Sequence, residues 1–598
     1  VSVRLALWAP DVADLTVWVA GREIPTVADP DRPGWRLAAE TLPHGTDYRL
    51  RVAGTTVGDP QARWAPQGVV GGPSRVFDPA TLVWHDQEWA GRALDAASVV
   101  YELHVGTFTP GGTLDAAASR LAHLVDLGVT HVELMPLASF DSDHGWGYEG
   151  VGLNAVHEPY GGPTALARFV DAAHAAGLAV WLDVVYNHLG PRGNVWPVFG
   201  PFFTDRYSTP WGEAVNLDGP GSEGVREVLL ASARGWLADF HLDGLRLDAV
   251  HELHDASHPP FLVELADAVH ALGAQLGRPL VLVAESDRND PSTVTPTASG
   301  GLGMDAQWDD DVHHALHWLL TGERQGYYAD FAGCAAAAAA LGGAFLHDGR
   351  WSSFRGTRHG HPVDFAVTPP WRFVVALQTH DQVGNRAAGE RLGQLVGRDT
   401  LAAGALLLAA LPYTPMLFMG EEWGATTPWQ FFTSYSDPEL AHAVSQGRRA
   451  EFATHGWGDG EVPDPQDPAT WRRSRLDWGE RLAGEELLRW YRDVLAWRAA
   501  TPVPDAAPSL WWAAPDGGHP WWWAVQRGAD LALVSLAGGV CPVDVAAPAG
   551  QLAVRLAFGP AVTLAVGEGG HTRVTLPAGA SVVLSARGAP VTPVTPVA

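Results

Sequence analysis

Asp243 to His251, DGLRLDAVH, places a cation and a carboxylate two residues apart at the end of a short apolar run. Residues two apart on a strand point the same way, so Arg246 and Asp248 share a face. Charge in an apolar strand is costly unless it is paired or used. Asp248 therefore reads either as a nucleophile kept ionised by Arg246 or as half of a structural Arg–Asp pair. Two further apolar runs end in acids: VLVAESD (281–287) carries Glu285, and FVVALQTHDQVGN (373–385) carries His380 and Asp381. Each alone fits a helix cap or a surface carboxylate. Three of them together point to one carboxylate site at one rim.

Such a rim needs strands that end side by side. From about residue 98 the chain alternates between strand and helix patterns. Eight runs read as strands: 99–106, 131–137, 179–187, 244–250, 280–286, 304–308, 373–381 and 416–423. Between them, 113–128, 163–177, 262–277 and 399–411 space their apolar residues as helices do. Eight such units make an α/β chain with a (β/α)8 TIM barrel, whose working rim lies at the C-terminal ends of its strands. The three acids fall at the ends of the fourth, fifth and seventh strands. Loops 188–221 and 322–372 exceed what a scaffold needs, and long rim loops commonly form binding walls.

The barrel region is read as 91–500, closing with the helix 485–500. Residues 1–90 are punctuated short strands, as in a β-sandwich, and 501–598 turn β-like again. The triplet Trp521, Trp522 and Trp523 reads either as a sugar platform or as structural, and structure is favoured because alternation buries at least one of them. The last ten residues, rich in Pro and Val, read as a frayed end. A chain of 598 residues is too long for one core. A net charge of −28 excludes nucleic acid and anionic membranes as partners and suits a neutral substrate. No apolar run is long enough to span a bilayer. Two distant cysteines, Cys334 and Cys541, make no metal or redox motif and fit a reducing cytoplasm. The chain opens VSVRLALW, without a signal-peptide pattern.

DVVYNH (183–188), GLRLDAVH (244–251), Glu285 after VLVA, and QTHD (378–381) resemble, in order, the four signature regions of the α-amylase family of glycoside hydrolases. The resemblance implies Asp248 as nucleophile, Glu285 as general acid/base and Asp381 as third carboxylate. It implies that Tyr148, in WGYEG, lies under the sugar at the cleaved bond, with His188, Arg246, His251, His380, Gln382 and Asn385 also contacting substrate. Asp183 and Asn187 would order the site. A lone His is more often structural, but each of these matches a sugar-binding position. The resemblance also implies an immunoglobulin-like N-terminal module and a C-terminal antiparallel sandwich. No metal and no cofactor are expected.

Four narrower stretches, 304–317, 320–331, 418–440 and 462–478, resemble the branch of that family acting on maltooligosyltrehalose. That branch cleaves the α-1,4 bond beside a terminal α,α-trehalose, releasing trehalose and a maltooligosaccharide. Sugars past the cleaved bond would meet Asp310, His313, Phe354 and Arg355, each of which also fits a role as loop scaffold. A synthase of the same pathway would supply the substrate. One alternative is a glycogen branching enzyme, which transfers to a glucan hydroxyl instead of water. Another is a glucan-binding homologue without catalysis, which would lack at least one of the three acids.

Overall fold

Eight parallel strands close into a barrel in the computed structural model, which describes residues 2–453, 462–515, 518–547, 551–566, 571–586 and 590–594. The strands are β1 (Val100–Leu103), β2 (His131–Leu134), β3 (Ala179–Val184), β4 (Gly244–Leu247), β5 (Val281–Ala284), β6 (Ala306–Trp308), β7 (Phe373–Ala376) and β8 (Thr414–Phe418). They pair in sequence order, and β8 closes on β1. All eight expected strands are present, each shorter than its apolar run. β4 stops at Leu247, so Asp248 begins the loop beyond it. A barrel strand ends where the chain must turn outward, and an apolar run does not show that point.

Helices Gly162–Ala175, Phe261–Leu276, Arg398–Ala410 and Glu485–Ala500 match the helical spacing of the sequence. The helix expected over 113–128 is two, Leu114–Ala118 and Leu121–Leu127, the second ended by Gly128 at φ 94°. Val100, Trp181, Val283, Trp308 and Met416 pack within one buried cluster of the barrel strands. Buried side chains of this kind contribute roughly 1.5–3 kcal/mol each.

The two expected rim insertions are present. The one after β3 forms a hairpin, Phe203–Thr209 with Gly212–Val215, carrying Trp211 at its turn. The one after β6 holds a 3-10 turn (Gly326–Phe331), the helix Cys334–Gly343 and a short hairpin, Trp351–Ser352 with Thr357–Arg358.

Antiparallel sheets flank the barrel. Before it, Ala6–Trp8, Leu15–Val19, Arg22–Ala28, Trp35–Ala38, Asp47–Val52, Thr55–Val57 and Ser74–Arg75 form one seven-stranded sheet. After it, a five-stranded sheet faces a three-stranded one. Trp522 and Trp523 lie on successive positions of one strand and are both buried. Trp522 joins the core between those two sheets, and Trp523 joins the core shared with the barrel. Trp521 is exposed.

Of the last ten residues, 590–594 are described and the others lie outside the described residues. Those five are held rather than frayed: Val591 is buried and Pro593 bridges to Val545. Among the described residues, no helix is long and apolar enough to cross a membrane. Cys334 and Cys541 are unpaired.

Candidate active site

One guanidinium organises the floor at the barrel's C-terminal rim. Arg246 is buried on β4, and its Nη1 lies 2.7 Å from Asp183 Oδ2 and 2.9 Å from Asp248 Oδ1. Its Nη2 lies 2.9 Å from Glu285 Oε2. Strand register produces this convergence. Asp183 of β3 pairs with Arg246, and Leu247 of β4 pairs with Ala284 of β5, so Asp248 and Glu285 leave adjacent strand ends. The guanidinium also sits 4.3 Å over the Trp308 ring. Asn187 Nδ2 donates to the Asp248 carbonyl at 2.6 Å and to its Oδ2 at 2.8 Å. The Tyr148 hydroxyl donates to Asp183 Oδ2 at 2.7 Å. Burial pushes Asp183 up to about 7, with Arg246 opposing and Asp248 adding to the rise.

Ala249 follows Asp248 with φ 39° and ψ 56°, a left-handed conformation. For a residue bearing a Cβ this costs on the order of 1 kcal/mol. The turn brings the Ala249 N–H to Glu285 Oε2 at 2.8 Å. Backbone strain therefore accompanies a contact between the two acids' own segments.

Asp381 opens a short helix, His380–Gly384, capped by Thr379. Its Oδ1 accepts from Asn385 Nδ2 at 2.6 Å. Burial raises the Asp381 carboxyl, His380 offsets part of this, and Glu285 adds to it. Asp381 thus lies in the field of Glu285. His380 stacks against Tyr148 at 5.0 Å. Its backbone N–H and Nδ1 both meet the carboxylate of Glu102 on β1. Burial opposes a charge on His380, but Glu102 outweighs it and holds the imidazole at about 9.

Two walls rise from this floor. On one, Asp310, Phe354, Arg355, Asp381, Gln382 and Asn385 line a single cavity. Gln382 Nε2 donates to Asp310 Oδ1 at 3.0 Å, and burial pushes Asp310 up to about 7 with Glu285 and Asp381 adding to the rise. His251 stands beside this wall, with Nδ1 3.9 Å from Asp287 Oδ1. On the other wall, Tyr148, His188 and Trp211 line a second cavity. His188 and Trp211 stack with centroids 4.1 Å apart and planes 6° apart.

His313 does not reach the cavity. It is buried on the helix Asp310–Thr321, and its neighbour His314 lines the wall instead. Successive helical residues face about 100° apart, so a one-residue error moves a side chain from cleft to core. The other expected site residues come together around the floor and its walls.

The sequence reading missed Glu102, Glu133, Trp211, His314 and Tyr327. Glu102 and Glu133 pair in register on β1 and β2, and both are buried. Burial first, then Glu102, pushes Glu133 well above the carboxylate range. Their signal was available, since each is an acid inside an apolar strand. Trp211 and Tyr327 lie in insertions whose spacing carries no period. Among the described residues, no group of three or more His, Cys, Asp or Glu is placed to hold a metal ion.

Two carboxylates sharing one cation, with a third beside them, can protonate a leaving oxygen and attack the carbon it leaves. A family model for the α-amylase catalytic domain matches residues 74–196. Malto-oligosyltrehalose trehalohydrolase of Arthrobacter ramosus is 53% identical over 511 residues, 84% of this chain and 88% of the relative. That of a Rhizobium species is 49% identical, over 83% and 85%. A solved α-amylase-like structure from Salmonella typhimurium superposes with a TM-score of 0.85 at 35% identity, covering 98% of each chain. A 1,4-α-glucan branching enzyme of Bordetella pertussis is 28% identical, over 72% of this chain and 61% of that one.

Proposed function

We propose the reaction from one premise: the chain belongs to the α-amylase family and, within it, to the malto-oligosyltrehalose trehalohydrolases. It is a glycoside hydrolase acting on maltooligosyltrehalose. It hydrolyses the α-1,4 bond beside the terminal α,α-trehalose, releasing trehalose and a maltooligosaccharide. The observation that carries the mechanism is the pair of acids, Asp248 and Glu285, held on one guanidinium.

Asp248 attacks the anomeric carbon while Glu285, protonated, gives its proton to the glycosidic oxygen, and the trehalose unit leaves. Glu285, now a carboxylate, takes a proton from water, whose oxygen attacks the same carbon and displaces Asp248. Two inversions retain the anomeric configuration. Arg246 and Asn187 hold the Asp248 carboxylate oriented. Asp381 holds sugar hydroxyls and favours the distorted ring. Tyr148 and His188 receive the glucosyl units that become the maltooligosaccharide. Asp310, Phe354, Arg355 and Gln382 receive the trehalose.

Transfer to a glucan hydroxyl is the less supported reading, since the branching enzyme is the more distant relative. A single incubation separates them. Trehalose-capped maltopentaose should yield free trehalose, with the new sugar end appearing first as the α-anomer by NMR. Branched glucan without trehalose, or the β-anomer first, would overturn the reading. A maltooligosyltrehalose synthase supplies the substrate, so adding one should let the protein form trehalose from plain maltooligosaccharide. We place the protein in the cytoplasm, supported by the unpaired Cys334 and Cys541, and cell fractionation tests this.

A further inference from the structure

Phe354 and Arg355 sit at the tip of an exposed two-stranded hairpin, yet they form part of the wall assigned to the trehalose unit. Phe354 is 61% exposed. Such a tip needs an external hold to keep a binding geometry. The hold begins on the barrel. Asp311, in the first turn of the helix after β6, is buried, and its Oδ2 accepts the N–H groups of Leu346 and His347 at 2.8 and 2.9 Å. His347 is buried too, and its Nδ1 lies 3.4 Å from that same oxygen. On its other side, His347 Nε2 lies 3.1 Å from Asp330 Oδ2, on the inserted 3-10 turn. Asp330 Oδ2 accepts the N–H of Ser353 at 2.7 Å, and Ser353 immediately precedes Phe354.

The electrostatics agree with the geometry. Burial opposes a proton on His347, but Asp311 and Asp330 outweigh it and hold the imidazole above its ordinary range. Tyr327, three residues before Asp330 on the same turn, meets Phe354 edge to face at 5.9 Å.

We propose that the Asp311–His347–Asp330 relay is a specificity device: it ties the hairpin to the rigid barrel and so sets the position of Phe354 and Arg355 against the trehalose unit. Asp330 and His347 are positioning residues that act through those two side chains. The inference rests on the assignment of this wall to the trehalose end.

The test compares a trehalose-capped maltooligosaccharide with an uncapped one of equal length, using the full chain. Asp330→Ala should lower kcat/KM on the capped substrate about tenfold, through KM, and leave the uncapped substrate within about twofold. The melting temperature should fall modestly, because Asp330 is partly buried and pairs with buried His347, but the fold should persist by circular dichroism, and discrimination between the two substrates is the deciding readout. Asp330→Asn, which keeps an oxygen for the Ser353 N–H, should recover part of the loss. An Asn variant as poor as the Ala variant would count against the Ser353 contact. Equal losses on both substrates, or no loss on either, would overturn the relay. Phe354→Ala separates the two layers of the argument. If it leaves discrimination unchanged, the wall assignment fails and the relay with it. If it lowers discrimination and Asp330→Ala does not, only the relay fails.

Discussion

The floor of the cleft and the wall that carries Phe354 and Arg355 are built on different principles. The floor hangs side chains from adjacent parallel strands. Hydrogen bonding between those strands sets where Asp183, Arg246, Asp248 and Glu285 stand; the first three are buried, and Glu285 is partly open to the cleft. The wall hangs Phe354 and Arg355 from a hairpin of two residues a side, inside a long insertion. There, the exposed tip takes its position from a few ion pairs and hydrogen bonds to buried groups below it. On the reaction proposed above, chemistry that tolerates little misplacement is assigned to the strands, and recognition to the insertion.

Mutations can break that division. Asp248→Asn and Glu285→Gln should each lower kcat by about a thousandfold or more on capped and uncapped substrates alike, with the fold retained by circular dichroism. Near-normal turnover in either removes the floor from the mechanism. Phe354→Ala should lower kcat/KM on the capped substrate roughly tenfold and change kcat much less. A uniform loss on both substrates would show that wall and floor are not separate.

Glu102 sharpens the comparison from below. Its partner His380 is held at about 9 in the fold, against an ordinary value of 6.5. A raised folded-state value means the pairing stabilises fully below about pH 6.5 and is lost as pH rises through about 9, a contribution on the order of 3 kcal/mol. The melting temperature should fall across that window in the wild type and change less in Glu102→Gln. Identical profiles for the two proteins would dissociate Glu102 from His380. The smallest effect is expected at Ala249. Ala249→Gly relieves the left-handed backbone at φ 39° and should stabilise the chain by at most about 1 kcal/mol, read by denaturant unfolding.

The same division separates what the sequence tells from what it hides. Arg246, Asp248 and Glu285 were legible because a charge in an apolar run breaks a pattern, and the break is visible without coordinates. Glu102 and Glu133 carry the same signal but match no signature region. The eight strands were legible for the same reason, as apolar runs of regular recurrence. Their ends were not, since β4 closes at Leu247 through the backbone turn at Ala249, and alanine gives no sign of positive φ. The wall was hardest. His313 and His314 differ by one helical step, and the residue assigned to the cleft is the one in the core. The ties from Asp330 to His347 and Ser353 join residues 17 and 23 apart across irregular segments, where no period predicts a contact.

The guanidinium of Arg246 touches Asp183, Asp248 and Glu285 at once. A charge shared this way fixes three carboxyl groups before any sugar arrives, so none of them has to find its place once a bond begins to break. The work of ordering them falls on folding and not on turnover.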